Sequence, residues 1–310
     1  MRQLTDDEGR WYPDPPRATP PRVLDGDGWE ALLALRFARD GLRTVLSERM
    51  HRGPLRVQRP FYPEGDAACH VYILHPPGGV VGGDRLAVNV DVDPGAHALL
   101  TTPAATKLYR SAGPRSIIQQ TLRGADGALV EWLPQETIVF SGAIADVRTR
   151  VELSGSARFI GWELSCLGRP AAGERFDRGE LGQRIELVRD GKLVYSERAH
   201  YRGGAPVLAA PWGLRGEPVV GTLLCAGVDL SGELERLREI LQQSVLAAAG
   251  GRVEDAATSC AALSCMGDVL VARYLGPSTE QARAIFSDLW HATRPLVLDQ
   301  RATSPRIWAT

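Results

Sequence analysis

The chain has 310 residues, 36 of them lysine or arginine and 37 aspartate or glutamate, for a net charge of −1; 44% are hydrophobic and 24% charged. A chain of this length buries about three quarters of the surface its unfolded form exposes, so it needs no disulfides or metal staples to fold. The balanced charge supplies no broad basic field for nucleic acid or an anionic membrane, and no apolar run reaches the roughly 18 residues of a membrane-spanning helix.

Residues 1–27 read as a disordered tail, because Pro13, Pro15, Pro16, Pro20 and Pro21 crowd a stretch rich in charge and poor in aliphatic residues. No basic segment followed by an apolar core marks secretion. The cysteines, Cys69, Cys166, Cys225, Cys260 and Cys265, are odd in number and scattered, which fits reduced thiols and a cytoplasmic protein. From Trp29 the propensity is helical, yet Trp29, Ala31, Leu33, Leu35 and Phe37 alternate with other residues at the two-residue period of a half-buried strand. Asp40-Gly41 then supplies a hairpin turn. The same pattern repeats down the chain. Strands are predicted over 71–74, 86–92, 96–102, 117–122, 128–133, 147–153, 157–164, 185–189 and 192–196, with glycine-rich turns at 93–95, 123–127, 154–156 and 190–191 that read as hairpins. The expected fold is mainly β, with many short antiparallel strands in stacked hairpins arranged as a sandwich, barrel or solenoid-like stack. Its all-β body covers residues 28–215.

Beyond residue 216 the order becomes β-α-β-β-α. A strand over 219–225 precedes a helix at about 233–249, with Ser231 as its expected N-cap and Leu234, Leu237, Leu241 and Val245 as its apolar stripe. A strand at 269–272 leads to a second helix opened by Ser278 and bounded by Pro295. Residues 28–310 thus read as one domain with two helices in its C-terminal third.

No nucleophile elbow, phosphate-cradling loop, dinucleotide fingerprint or zinc-binding histidine pair is present, so the standard catalytic signatures are absent. What stands out is a set of loops that place single charges beside apolar neighbours: 74–84 (LHPPGGVVGGD), 101–111 (TTPAATKLYRS), 133–142 (LPQETIVFSG) and 161–170 (GWELSCLGRP). Asp84 reads either as a turn residue bonding its own backbone or as part of a site. Glu163, amid Trp162, Leu164 and Leu167, demands a partner such as Arg169 or Lys107. Trp132 and Trp162 read as core.

These segments, with GPLRVQRPFYPEG at 53–65, EWLPQETIVFSGA at 131–143, CLGRPAAGERF at 166–176 and the ending Leu289-Trp290 through Arg294-Pro295 and PRIWAT at 305–310, closely resemble the urease accessory protein UreD family, called UreH in some bacteria. The resemblance covers about Trp29 to Thr310. It implies a non-enzymatic role, a largely β fold with two helices and a hetero-oligomer, or a dimer of such complexes, with the helical protein UreF, the GTPase UreG and the urease apoprotein. Members help deliver nickel to the urease active site with its carbamylated lysine, and are poorly soluble alone; a water-filled passage has been proposed as the route. No tightly bound cofactor is implied, only nickel in transit.

An ion in transit must be held weakly, which favours spaced carboxylates and water over clustered thiolates and imidazoles. On that argument Asp84, Glu163 and Glu174, and after them Glu136, are the candidate nickel-passage residues, while Lys107 and Arg110 are placed to neutralise them. Two other readings stand beside this one. One is a β-rich chaperone module for urease subunits that does not itself handle nickel; the other is a hydrolase using Glu163 and Asp84 as an acid/base pair.

Overall fold

The computed structural model describes residues 28–251 and 259–309, so the tail expected over 1–27 lies outside the described residues. The first predicted hairpin forms as read: β1 (Glu30–Asp40) turns at Asp40-Gly41 into antiparallel β2 (Arg43–Arg52). Ala31, Leu33, Leu35 and Phe37 all face the core, so period overrode helical propensity, whereas Trp29, the first of the alternating set, precedes the strand and is exposed. β3 (Arg56–Val57) and β4 (Ala68–Leu74) follow, then β5 (Arg85–Val92), β6 (His97–Thr101) and β7 (Thr106–Leu108). Next come β8 (Ser116–Gly124), β9 (Leu129–Leu133), β10 (Thr137–Val139), β11 (Ile144–Leu153), β12 (Arg158–Arg169) and β13 (Glu174–Arg175). β14 (Glu180–Arg189) and β15 (Lys192–Arg202) form the predicted hairpin at Asp190-Gly191.

The other predicted hairpins are corrected by the strand pairing. β5 and β6, β8 and β9, and β11 and β12 do not pair; each turn carries the chain from one sheet to the other. The first sheet runs β15-β14-β11-β8-β5-β1-β2, and its five central strands are parallel. The second contains the parallel run β4-β6-β9-β12, continued antiparallel by β16 (Val219–Ala226), β18 (Val269–Gly276) and β17 (Cys260–Met266). The body is therefore wound as a solenoid. A positive-φ glycine marks each corner, at Gly95, Gly127 and Gly155, and the same residue type serves a hairpin equally well. The corners stack on one another: the Gly95 amide donates to the Asp126 carbonyl, and Asp126 Oδ1 accepts from the Ser156 amide at 2.8 Å.

One buried cluster fills the space between the sheets, and a second lies between the second sheet and the helices α1 (Leu234–Ala248) and α2 (Thr279–Leu298). Covered on both faces, β4 and β6 are apolar almost throughout rather than alternating. The order from β16 onward is the expected β-α-β-β-α.

The helix ends depart from expectation in two places. Ser231 begins a single 3₁₀ turn instead of capping α1, and its amide is held by Asp229. Ser278 does cap α2, accepting from the Glu280 and Gln281 amides, but the helix runs through Pro295 to Leu298. Val297 and Leu298 are fully buried, and that packing outweighs the missing hydrogen bond at the proline.

Candidate functional site

Glu163 occupies the centre of β12, whose neighbours are β9 and β16. Its side chain points between the sheets, where Oε1 accepts from Trp132 Nε1 at 3.1 Å and from the Thr149 hydroxyl at 2.7 Å. The expected partner, Arg169 or Lys107, is not among its hydrogen bonds, and no cation pairs with it among the described residues. Burial pushes its carboxyl above the usual range, and the Thr149 and Trp132 bonds offset this only in part. The residue lies deep but is not sealed, because it faces open space on two sides.

That space consists of two cavities. One, of about 340 Å³, is walled by the family-like loops through His75, Gly78, Gly79, Thr102, Lys107, Gln135 and Thr137. The other, of about 490 Å³, is lined by Gln183, Glu197, Tyr201, Thr222, Cys260 and Arg273. Glu163 lines both. Within the larger cavity Glu197 is neutralised, accepting from Arg273 at 2.9 Å and from Thr222 at 2.9 Å. Elsewhere the lining is mostly apolar, and its polar groups include glutamine amides and threonine hydroxyls, oxygen donors with weak affinity for a borderline cation, beside His75, Lys107, Arg184 and Cys260.

Asp84, Glu136 and Glu174 line neither cavity. Asp84 is a loop staple: its carboxylate accepts from the Trp29 amide and the Val81 amide, each at 2.9 Å, and so fixes the start of β1 against the 81–84 turn. Of its two sequence readings, the geometry fits the turn residue. Glu174 is strapped to Arg169 and accepts from the Ser141 amide at 3.0 Å, while the Arg169 guanidinium lies 4.4 Å from the Phe140 ring centre. Glu136 lies 3.6 Å from Arg283, and its Oε2 is buried without a hydrogen bond among the described residues. Lys107 lines the smaller cavity with Glu163, and Arg110 is exposed.

Sequence reasoning missed the most heavily buried charges among the described residues. Glu131 of β9 and Arg294 of α2 are fully buried and meet at 3.0 Å. Glu131 also lies 2.7 Å from His97 Nε2 and accepts from Trp290 Nε1 at 2.7 Å. Arg294 reaches on to Glu64 at 2.7 Å and to the Arg301 carbonyl, and Glu64 lies 2.8 Å from His70 Nε2. Burial pushes Glu131 up, but His97 and then Arg294 overcome it and hold the group down to about 2. The available signal was a single charge inside an apolar run, Val130-Glu131-Trp132-Leu133. The network joins the RPFYPEG segment to Arg294-Pro295, 230 residues away, so it locks helix α2 onto the second sheet. Among the described residues no three His, Cys, Asp or Glu side chains converge to hold a metal ion. No helix among them is long and apolar enough to cross a membrane.

Comparison with known proteins accords with this arrangement of loops and core. The model of the UreD urease accessory protein family matches residues 30–309. The chain belongs to that family. Among similar proteins, the urease accessory protein UreD of Azoarcus sp. (strain BH72) is 49% identical over 91% of this chain and 95% of its own length. UreD of Dechloromonas aromatica (strain RCB) is 46% identical over 91% and 95%, and UreD 2 of Brucella anthropi 44% identical over 91% and 99%.

Proposed function

We propose that the chain serves urease maturation as a non-catalytic scaffold that binds the urease apoprotein together with UreF and UreG, and that nickel crosses it between the two sheets past Glu163. The observation that carries the nickel reading is the position of Glu163 as the carboxylate shared by both cavities, with Oε1 occupied by Trp132 and Thr149. A divalent cation arriving there meets one carboxylate and neutral oxygen donors, with the Lys107 ammonium in the smaller cavity opposing its charge. Its charge favours the ionised form that burial opposes, and the sparse ligand set lets it leave again. Asp84, Glu136 and Glu174 then serve as supports of the loops around the route rather than as stations on it.

The chaperone reading has an observation of its own, since three of the four acids are held by backbone amides or arginines. Co-expression with a urease operon lacking this chain separates the two. The wild-type chain is expected to restore urease activity, and failure to do so sinks the scaffold. Glu163→Gln is expected to co-purify with UreF normally while lowering the nickel bound per urease several-fold. Unchanged nickel loading leaves the chaperone reading standing and removes the route.

A further inference from the structure

The outer face of the first sheet carries an arrangement that the route past Glu163 does not use. Arg148 on β11 is the register partner of Arg184 on β14, which is in turn the partner of Arg198 on β15. Three guanidinium groups thus stand in one row across adjacent strands, and like charges directly opposite one another destabilise a sheet. Elsewhere on this face the signs alternate: Arg123 lies between Asp91 and Glu152, and Arg150 between Glu152 and Glu186. Within the row, Arg148 is drawn to Asp146 at 2.9 Å and Arg184 to Glu186, but Arg198 has no carboxylate partner among the described residues. A groove of about 430 Å³ runs in front of the row, with Gly182 in its floor and His200 at its side. A β-carbon at position 182 would come within 2.6 Å of Asp146 Oδ1, so glycine keeps the groove open.

A second feature lies beside the first. β15 is the last strand of its sheet, spans Lys192–Arg202 and contains no proline. Among the described residues, no backbone hydrogen bond from another element than β14 reaches it between Lys192 and Tyr201. Natural edge strands are usually covered or blunted. On this one, Arg198, His200 and Arg202 are exposed at every second position, and a strand laid alongside would present its own alternate side chains to them.

We propose that the β15 edge binds an extended acidic segment of a partner protein by strand addition, its backbone continuing the ladder and its alternate carboxylates meeting Arg198, His200 and Arg202. Main-chain hydrogen bonds supply the affinity, and the guanidinium–carboxylate pairs set register and choice of partner. A second copy of this chain does not fit, since the same row of arginines would face itself. Nucleic acid fits poorly, because Asp146, Glu180 and Glu186 stand among the arginines and would repel a run of phosphates. The inference is independent of whether nickel passes Glu163.

The test titrates the full chain with a fluorescein-labelled peptide alternating threonine and glutamate, read by anisotropy. Saturable binding that weakens with salt is expected, with the double variant Arg198→Glu/Arg202→Glu weakening it about tenfold or more. Arg198→Ala should give a smaller loss in the same direction, and circular dichroism confirms that both variants keep the fold. The same peptide N-methylated at alternate amides should fail to bind, because the ladder cannot form. Absence of saturable binding, binding unaltered in the double variant, or equal binding of the N-methylated peptide would each overturn the proposal. So would tighter binding of a poly-uridylate oligomer, or self-association of the chain that the peptide fails to compete.

Discussion

Replacing Arg294 by methionine tests how the helical layer is held. The guanidinium is fully buried, bonded to Glu131 at 3.0 Å, to Glu64 at 2.7 Å and to the Arg301 carbonyl. Methionine keeps most of the volume but leaves two buried carboxylates without a guanidinium, Glu131 with His97 and the Trp290 indole and Glu64 with His70. Removing one member of such a pair costs about 3–5 kcal/mol, most of it the penalty of the stranded charge. The pH dependence adds a signature. Burial opposes it, but His97 and Arg294 hold Glu131 down to about 2, below the ordinary carboxylate range, so in the wild type the ionised group stabilises the fold at neutral pH and that contribution is lost as pH falls toward 2. In Arg294→Met the folded-state value rises, the group takes up a proton more readily, and the deficit against wild type shrinks on acidification. Urea unfolding at pH 7 and pH 4 measures both. Adding Glu131→Gln to the methionine variant should recover part of the loss at pH 7, since the stranded charge is gone. A single-variant loss under about 1 kcal/mol at pH 7, or no recovery in the double variant, would refute the assignment of this network as the lock.

Glu163→Gln is expected to be at least as stable as wild type at pH 7, with a gain that fades toward pH 4. The folded chain favours the protonated acid, so ionisation lowers native stability as pH rises above the ordinary carboxylate value, and glutamine removes that dependence; parallel melting curves of the two proteins across pH check it. Gly168→Ala should lose about 2–3 kcal/mol in chemical denaturation, because φ is +92° there and a β-carbon would meet the Glu174 carbonyl at 2.5 Å. Ser278→Ala should lose about 1 kcal/mol by thermal unfolding, through the two amides of α2 left uncapped, whereas Ser231→Ala should change little because its side chain caps no helix.

The loops around the smaller cavity and the charge on Glu163 were legible early because they break the surrounding grammar: glycine and proline clusters between alternating strands, and one acid in an apolar run. The partners of those acids were not legible. Arg169 was a reasonable partner for Glu163 by nearness in sequence, yet it turns to Glu174, five residues on, because β12 pairs with β13 at that point. The lock of Glu131, His97, Arg294, Glu64 and His70 was invisible for the same reason at longer range: its members come from separate strands, a loop and a helix, and no local pattern ties them together.

What the sequence determined by itself was the local alphabet. The two-residue period of β1 and β5, the turns at Asp40-Gly41 and Asp190-Gly191, the Ser278 cap and the two late helices all follow from interactions within a few residues of each position. Only the tertiary structure decided whether a glycine turn closes a hairpin or carries the chain to the opposite sheet. Both outcomes satisfy the same backbone angles, and the difference lies in which distant strand offers the next ladder of hydrogen bonds. The same long-range packing carried α2 past Pro295 and left the carboxylate of Glu163 facing two cavities at once.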